Sequence, residues 1–201
     1  MAQFEKSQKI VGISEGGYQN DPKDTGNWYM GKLIGTNWGI SAPTLGGYLG
    51  RIPTAQEMKS LPKATAIAIL KKNYWLANNF DRLKNQSVAT LLYDGAVNHG
   101  NSAMRFLVEK VLSRFRKSIS SYKVFTREGI ELMNGLNQKD FFTSLKAART
   151  AKYQSLNNPR YLKSWLNRLS RISYEEQGNS STPFIYSALL LVGVGLVLIG
   201  L

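Results

Sequence analysis

The sequence predicts a mainly α domain with an irregular, glycine-rich N-terminal lobe, followed by a polar tether and a single C-terminal transmembrane helix. Three observations carry this. Apolar residues recur at helical spacing through residues 54–172, nine glycines fall within residues 16–50, and the final eighteen residues, 184–201, contain no charge.

Taken in order, residues 3–14 read as a short helix with Phe4, Ile10, Val11 and Ile13 as its apolar positions. Residues 16–50 break every period. Beside the glycines stand two prolines and clusters of Asn, Asp and Thr, which predict turns and short strands. Thr54-Ala-Gln-Glu57 has capping-box spacing, so a short helix opens there. Pro62 suits a first helical turn, and 64–80 continues as helix with Ala66, Ile67, Leu70, Tyr74 and Ala77 in register. Helices over 87–98 and 102–115 follow. The first is built on Val88, Leu91, Leu92 and Val97, the second on Phe106, Leu107, Val111 and Leu112. Residues 126–133 form a short helix ending at Asn134-Gly135, and 138–156 a long basic amphipathic one. Asn157-Asn158-Pro159 ends that helix and starts another, with Tyr161, Leu162, Trp165, Leu166 and Leu169 on one face. The expected organisation is a domain over 1–173, a polar linker over 174–182 and a membrane helix over 183–201. Eighteen helical residues rise roughly 27 Å, close to the hydrocarbon thickness of a bilayer.

Composition narrows the chemistry. Without cysteine there is no disulfide framework and no thiolate metal site, and a lone histidine, His99, excludes a His-rich zinc site. No metal and no organic cofactor is expected. All 26 basic residues but only 11 of the 13 acidic ones lie in residues 1–173, so that part carries +15. Such a field favours polyanions: nucleic acid, anionic lipid or an acidic wall polymer. The N-terminus has no apolar stretch before a small-residue cleavage site, so no secretory signal is expected.

The informative stretch is Glu15-Gly-Gly-Tyr-Gln-Asn-Asp-Pro-Lys-Asp24, then Gly35-Thr-Asn-Trp-Gly-Ile-Ser41. A glutamate where a helix meets a glycine-rich loop can be shielded by apolar neighbours and still face a cleft. Shielding disfavours the charged form, which suits a general acid near neutral pH. By spacing alone, a glutamate before two glycines is more often a helix end than a catalyst, and Asp21-Pro and Asp24-Thr-Gly read as turns.

The residues E-G-G-Y-x-N-D-P-x-D, followed by G-T-x-x-G-I-S, resemble glycoside hydrolase family 108, the phage-type N-acetylmuramidases of lysozyme-like fold. The likeness continues in Asn73-Tyr-Trp75, in Asp94-Gly-Ala-Val-Asn-His-Gly100, and in Arg149, Tyr153, Asn158-Pro159 and Leu162-Lys-Ser-Trp-Leu-Asn-Arg168. It spans about residues 5–172. The resemblance implies a lysozyme-like α(+β) domain with Glu15 as general acid and with Asp24 and Thr36 holding the attacking water. Tyr18, Asp21, Trp38 and Asn98 become candidate substrate-binding residues, Asp21 also serving to shape the Asp-Pro turn. The chain departs from the family where residues 27–33 intervene between Asp24 and Thr36; this insertion predicts a small hairpin.

The implied activity is hydrolysis of the β-1,4 bond between N-acetylmuramic acid and N-acetylglucosamine, by a membrane-anchored enzyme acting in phage infection or host lysis. The expected partners are peptidoglycan, a lipid membrane through residues 184–201, and other proteins of a virus particle; nucleic acid is not expected. The membrane is that of the host cell or one inside the virion. The positive-inside tendency would keep a +15 domain on the cytoplasmic side of an ordinary cell membrane, which favours the virion. Two alternatives stand beside this: a lytic transglycosylase, and an inactive structural membrane protein binding lipid or nucleic acid through its basic surface. Several other residues read two ways. His99 is a helix-end residue with a capping or surface role. The aromatics of the N-terminal lobe serve as sugar platforms or as core. Trp165 reads as core, and the basic run 105–123 as a solvated face or a contact with anionic wall or lipid.

Overall fold

Residues 1–14 and 16–176 are described by the computed structural model. Its elements run α1 (Phe4–Val11), β1 (Trp28–Tyr29), β2 (Lys32–Leu33), α2 (Ala42–Leu49), α3 (Ala55–Lys59), α4 (Lys63–Leu70), α5 (Gln86–His99), α6 (Asn101–Arg114), α7 (Arg127–Asn134), α8 (Gln138–Ser155) and α9 (Pro159–Ser170). The domain is mainly helical, as predicted.

Helix α5 is its axis. Every residue from Ser87 to Ala96 is buried, and a helix without a polar face needs neighbours on all sides. Helices α1, α6 and α8 supply them. The polar residues of α5 are partnered, as burial requires. Thr90 shares a 2.8 Å hydrogen bond with Ser7, Ser87 Oγ accepts from the Glu175 N–H at 2.9 Å, and Asp94 lies between two guanidinium groups. Beside it Phe4, Trp75, Phe80 and Tyr93 meet edge to face, with ring centroids 5.6–6.2 Å apart.

The predicted capping box forms: the Thr54 N–H donates to Glu57 Oε2 at 2.8 Å, and the Glu57 N–H to Thr54 Oγ1 at 3.1 Å. The insertion at 27–33 is a hairpin, with Trp28 opposite Leu33 and Tyr29 opposite Lys32. Its two-residue turn, Met30-Gly31, has positive φ at both positions (47° and 75°), the twist that matches paired strands.

Five local readings change. The helix expected over 64–80 is α only to Leu70. A π turn follows over Lys71–Trp75, then 3-10 turns. The wider turn shifts the phase, so Trp75 is buried (1% exposed) rather than Tyr74, and Leu76 is half exposed. Pro62 caps α4 from just outside its first turn. Helix α2 lies in the stretch read as turns; Ser41 caps it and Pro43 enters its first turn, but Gly46 and Gly47 masked its helical pattern. Gly46 is there for close approach: a Cβ would come 2.4 Å from the Tyr29 ring of the hairpin. Helix α6 buries Met104, Val108, Val111 and Leu112, leaving Phe106 58% exposed. Residues 174–176, read as the start of the tether, lie along the domain, where Tyr174 meets the Phe142 ring at 5.5 Å. Among the described residues no helix is long and apolar enough to cross a membrane. The predicted span, 183–201, lies outside the described residues.

Candidate functional site

After α1 the chain turns through Gly12–Ser14 toward Glu15, which lies outside the described residues. On its far side the Gly16 carbonyl accepts from the Trp38 N–H at 3.2 Å. Gln19 and Thr36 then pair as an antiparallel bridge, each backbone N–H donating to the other's carbonyl at 2.9 and 2.8 Å. This closes the glycine-rich segment into a loop whose centre is the buried side chain of Asn27.

Asn27 organises the loop. Its Nδ2 donates to Gln19 Oε1 at 2.7 Å and to the Asp21 carbonyl at 2.9 Å. Its Oδ1 accepts from Thr36 Oγ1 at 2.6 Å and from Gln19 Nε2 at 3.1 Å. Gln19 Nε2 also donates to Asp24 Oδ2 at 2.9 Å, while Asp24 Oδ1 caps the next turn by accepting from the Gly26 N–H at 2.9 Å. Asp24 and Thr36 therefore do not touch each other but belong to one network through Asn27 and Gln19. The Thr36 hydroxyl spends its proton on Asn27, so toward anything else Thr36 Oγ1 is an acceptor.

Asp24 lies between two connected hollows. The larger, about 710 Å³, is bounded by Ile13, Gln19, Asp24 and Asn98 on one side and by Arg160, Lys163, Ser164, Trp165, Asn167, Arg168 and Arg171 on the other. The smaller, about 350 Å³, has Lys23, Thr25, Asn158 and Tyr161 on its walls and shares Asp24, Asn98 and Trp165 with the first. Across their margin Asp21 ties the loop to α9: Oδ2 accepts from Arg160 Nη2 at 2.9 Å and from the Tyr161 hydroxyl at 3.0 Å. The Lys23 N–H on Asp21 Oδ1, then Tyr161 and Arg160, hold this carboxyl below its usual range.

Behind the cleft lies a buried ionic group. Asp94 receives Arg149 Nη2 on Oδ2 and Arg168 Nε on Oδ1, both at 2.6 Å. Burial pushes the Asp94 carboxyl up, but the two guanidiniums outweigh it and hold it below the ordinary value. Arg149 Nη2 also donates to the Tyr153 hydroxyl at 3.0 Å, and that hydroxyl lies 2.8 Å from Asn98 Oδ1. Because Tyr153 accepts from Arg149, its own proton goes to Asn98, and a carbonyl oxygen must stand there to take it. The Asn98 Nδ2 is thereby turned away from Tyr153 as a donor. The Tyr153 ring also stacks on Trp165, with centroids 5.4 Å apart and planes 19° apart. The His99 ring also packs against Tyr153, with centroids 4.8 Å apart. Burial first, then Arg149 and Lys152, lowers its pKa to about 3, so it is neutral.

Of the residues singled out from sequence, Asp24 and Asn98 line the cleft and Asp21 spans its margin. Thr36 stands one layer behind, through Asn27. Two others are turned elsewhere. The Tyr18 hydroxyl donates to the Ile34 carbonyl at 3.2 Å, and its ring fills the space that a Cβ on Gly35 (φ 96°) would need, 2.6 Å away. Trp38, at φ 52°, donates from Nε1 to the Leu61 carbonyl at 3.1 Å under Lys63. It braces the loop beyond Glu15 rather than lining the cleft. Sequence reasoning missed Gln19, Asn27 and the inward face of α9. Trp165, read as core, does pack against the core, but it also walls both hollows. The inward face of α9 had one signal in the sequence, the 3-4 spacing of its polar residues; Gln19 and Asn27 had none.

A family model described as Glycosyl hydrolase 108 matches residues 8–100. Among solved structures, Brucella abortus SagA superposes with a TM-score of 0.71 at 28% identity, covering 84% of this chain and 90% of that one. No curated protein matches the sequence.

Proposed function

We propose that this chain, a glycoside hydrolase, is a muramidase, hydrolysing the β-1,4 bond between N-acetylmuramic acid and N-acetylglucosamine in peptidoglycan. One observation carries the reading: Asp24 and Asn98 share a cleft whose wall begins at Ile13, two residues before Glu15. In this mechanism Glu15 protonates the leaving glycosidic oxygen while a water attacks the anomeric carbon from the opposite face. Asp24, held by Gln19 and the Gly26 N–H, takes a proton of that water. Thr36, one layer behind the cleft, acts through Asn27, which it holds together with Gln19 and so helps fix Asp24 for that role. Asn98 Nδ2 donates to an acceptor on the sugar.

The test incubates the full chain and its Glu15→Gln variant with purified peptidoglycan and identifies the released fragments by mass spectrometry. Reducing muropeptides from the wild type alone are expected. Anhydro-sugar ends would move the chain to the transglycosylases. No release between pH 5 and 8 would refute the muramidase reading and favour a structural role.

The uncharged residues 184–201 support a second element of the proposal, that the enzyme is held on a membrane, in a virion or in the infected host. Alkaline carbonate should leave the full chain with the membranes and extract a chain ending at residue 176. Mass spectrometry of purified particles decides between the two locations.

A further inference from the structure

Helix α8 packs on α9 and on α6. Between α8 and α6 runs a groove of about 430 Å³ that shares no lining residue with either hollow of the cleft. Leu107 and Val111 give it an apolar lining, and Phe106, which lines it too, is 58% exposed. A phenyl ring left in water beside an apolar groove is an unfilled contact. Lys110, Arg114 and Lys152 line the same groove, and no carboxylate does.

Nearby acids do not cancel these charges. None of the three cations has an ion-pair partner among the described residues. Glu109, the one acidic residue in 101–127, lies in a separate hollow with Arg116 and Lys117. Glu128 and Glu131 pair with Lys123 and Arg127, and the buried Asp94 with Arg149 and Arg168. Asp140, in the first turn of α8, is twelve residues before Lys152, about 18 Å along the helix. Ile13 and Gly16, on either side of Glu15, belong to the cleft wall and to the Trp38 loop.

We infer that the α6–α8 groove is a docking surface for an anionic lipid bilayer. Headgroup phosphates take the three cations, whose long stems reach outward from the helices, while Phe106 enters the boundary between headgroups and acyl chains. A soluble polyanion would use the cations and leave Phe106 in water. A second copy, meeting this face with its own, would bring six cations together. The reach of the chain agrees. Tyr174 is fixed at Phe142, about 15 Å along α8 from Lys152, and the seven residues 177–183 can span at most about 25 Å. The bilayer that receives residues 184–201 can therefore also meet the groove, and the cleft on the α9 side of α8 stays open. The inference rests on the membrane element of the proposed function, and its test separates the two.

Because the chain has no cysteine, an introduced one takes a single label. The full-length chain, labelled through Ser155→Cys in the groove with a polarity-sensitive fluorophore, is mixed with vesicles of phosphatidylcholine alone or of equal parts phosphatidylcholine and phosphatidylglycerol. Flotation reports attachment, and emission reports whether the groove meets lipid. Emission should shift to the blue on the anionic vesicles only and return as ionic strength rises toward molar. Lys110→Gln, Arg114→Gln and Lys152→Gln should each lower the docked-to-undocked ratio about five-fold, and Phe106→Ser by a similar factor. Lys110→Arg should keep docking, and all these variants should melt with the parent. The same label placed through Lys163→Cys, in the cleft, should stay in water. A Ser155→Cys label that stays in water while the chain floats with both vesicles overturns the inference and leaves the anchor standing. An equal shift on both compositions, indifferent to the Gln variants, overturns it too. So does a shift without lipid, either at high protein concentration, which would make a second copy the occupant, or on adding peptidoglycan. Flotation with anionic vesicles alone, with the label shifted, would support the docking face and refute the anchor; flotation with neither would refute both.

Discussion

Replacing Tyr153 by Phe removes one hydroxyl from the path between Arg149 and Asn98 and leaves the ring on Trp165. The hydroxyl makes two hydrogen bonds, accepting at 3.0 Å and donating at 2.8 Å. Arg149 keeps Asp94 and the Leu91 carbonyl, the latter at 3.0 Å, so the guanidinium does not become an orphan charge. At about 1 kcal/mol for each net bond lost, stability should fall by about 2 kcal/mol, a drop in Tm of about 4–8 °C for a domain this size. The functional effect is separate. Without the Tyr153 proton nothing fixes which end of the Asn98 amide faces the cleft. Two equal orientations alone raise KM about two-fold, and complete loss of the sugar bond, at about 1 kcal/mol, about five-fold. The kcat should stay within about two-fold if the bond is equally strong in ground and transition states. The assay is a double-mutant cycle in KM with Asn98→Ala. Once Asn98 is gone, Tyr153→Phe should add nothing to KM while still lowering Tm. An unchanged KM in the single variant, or additive effects in the double, would show that Tyr153 serves stability alone.

Other predictions rest on different contacts. Gln19→Leu leaves Asp24 Oδ2 without its amide donor and should lower kcat about ten-fold with little change in KM, as steady-state kinetics on peptidoglycan would show. Asp94→Asn removes the carboxylate that Arg149 and Arg168 share and should cost about 3–5 kcal/mol in denaturant unfolding. Because the folded pKa of Asp94 is depressed, its contribution is complete above the unfolded value near 4 and is lost as pH falls through the folded one. His99 acts at higher pH. Its folded pKa of about 3 lies below the unfolded value near 6.5, so below pH 6.5 the unfolded chain takes up a proton that the folded one refuses. Stability should therefore fall between pH 6.5 and about 3, by a few kcal/mol, and His99→Phe should flatten the Tm profile over that window.

The helices from 54 onward were legible because each carries its own local instruction: the Thr54–Glu57 box, the buried run of α5, the Asn-Pro break before α9. Where local and tertiary demands diverge, sequence reading missed. The period through 64–80 was helical, but a π turn rotates it to bury Trp75 among Phe4, Phe80 and Tyr93, and only those rings make that worthwhile. The glycines of α2 looked like turn signals, yet Gly46 is there for the Tyr29 ring of a hairpin that must first be folded against it.

The site divides along the same line. The order of Glu15, Asp24, Thr36 and Asn98 along the chain, the hairpin inserted at 27–33 and the cationic run after Asp140 are properties of the sequence itself, since residue type and spacing are local. Which of these residues meet was decided by the tertiary structure. Asn27 had to be buried before it could hold Gln19 against Asp24 and claim the proton of Thr36. Asp94, Arg149 and Tyr153 had to be brought together from α5 and α8 before the Asn98 amide acquired a direction. Hydrogen-bond sense is a property of a closed network, and no single stretch of this chain contains one.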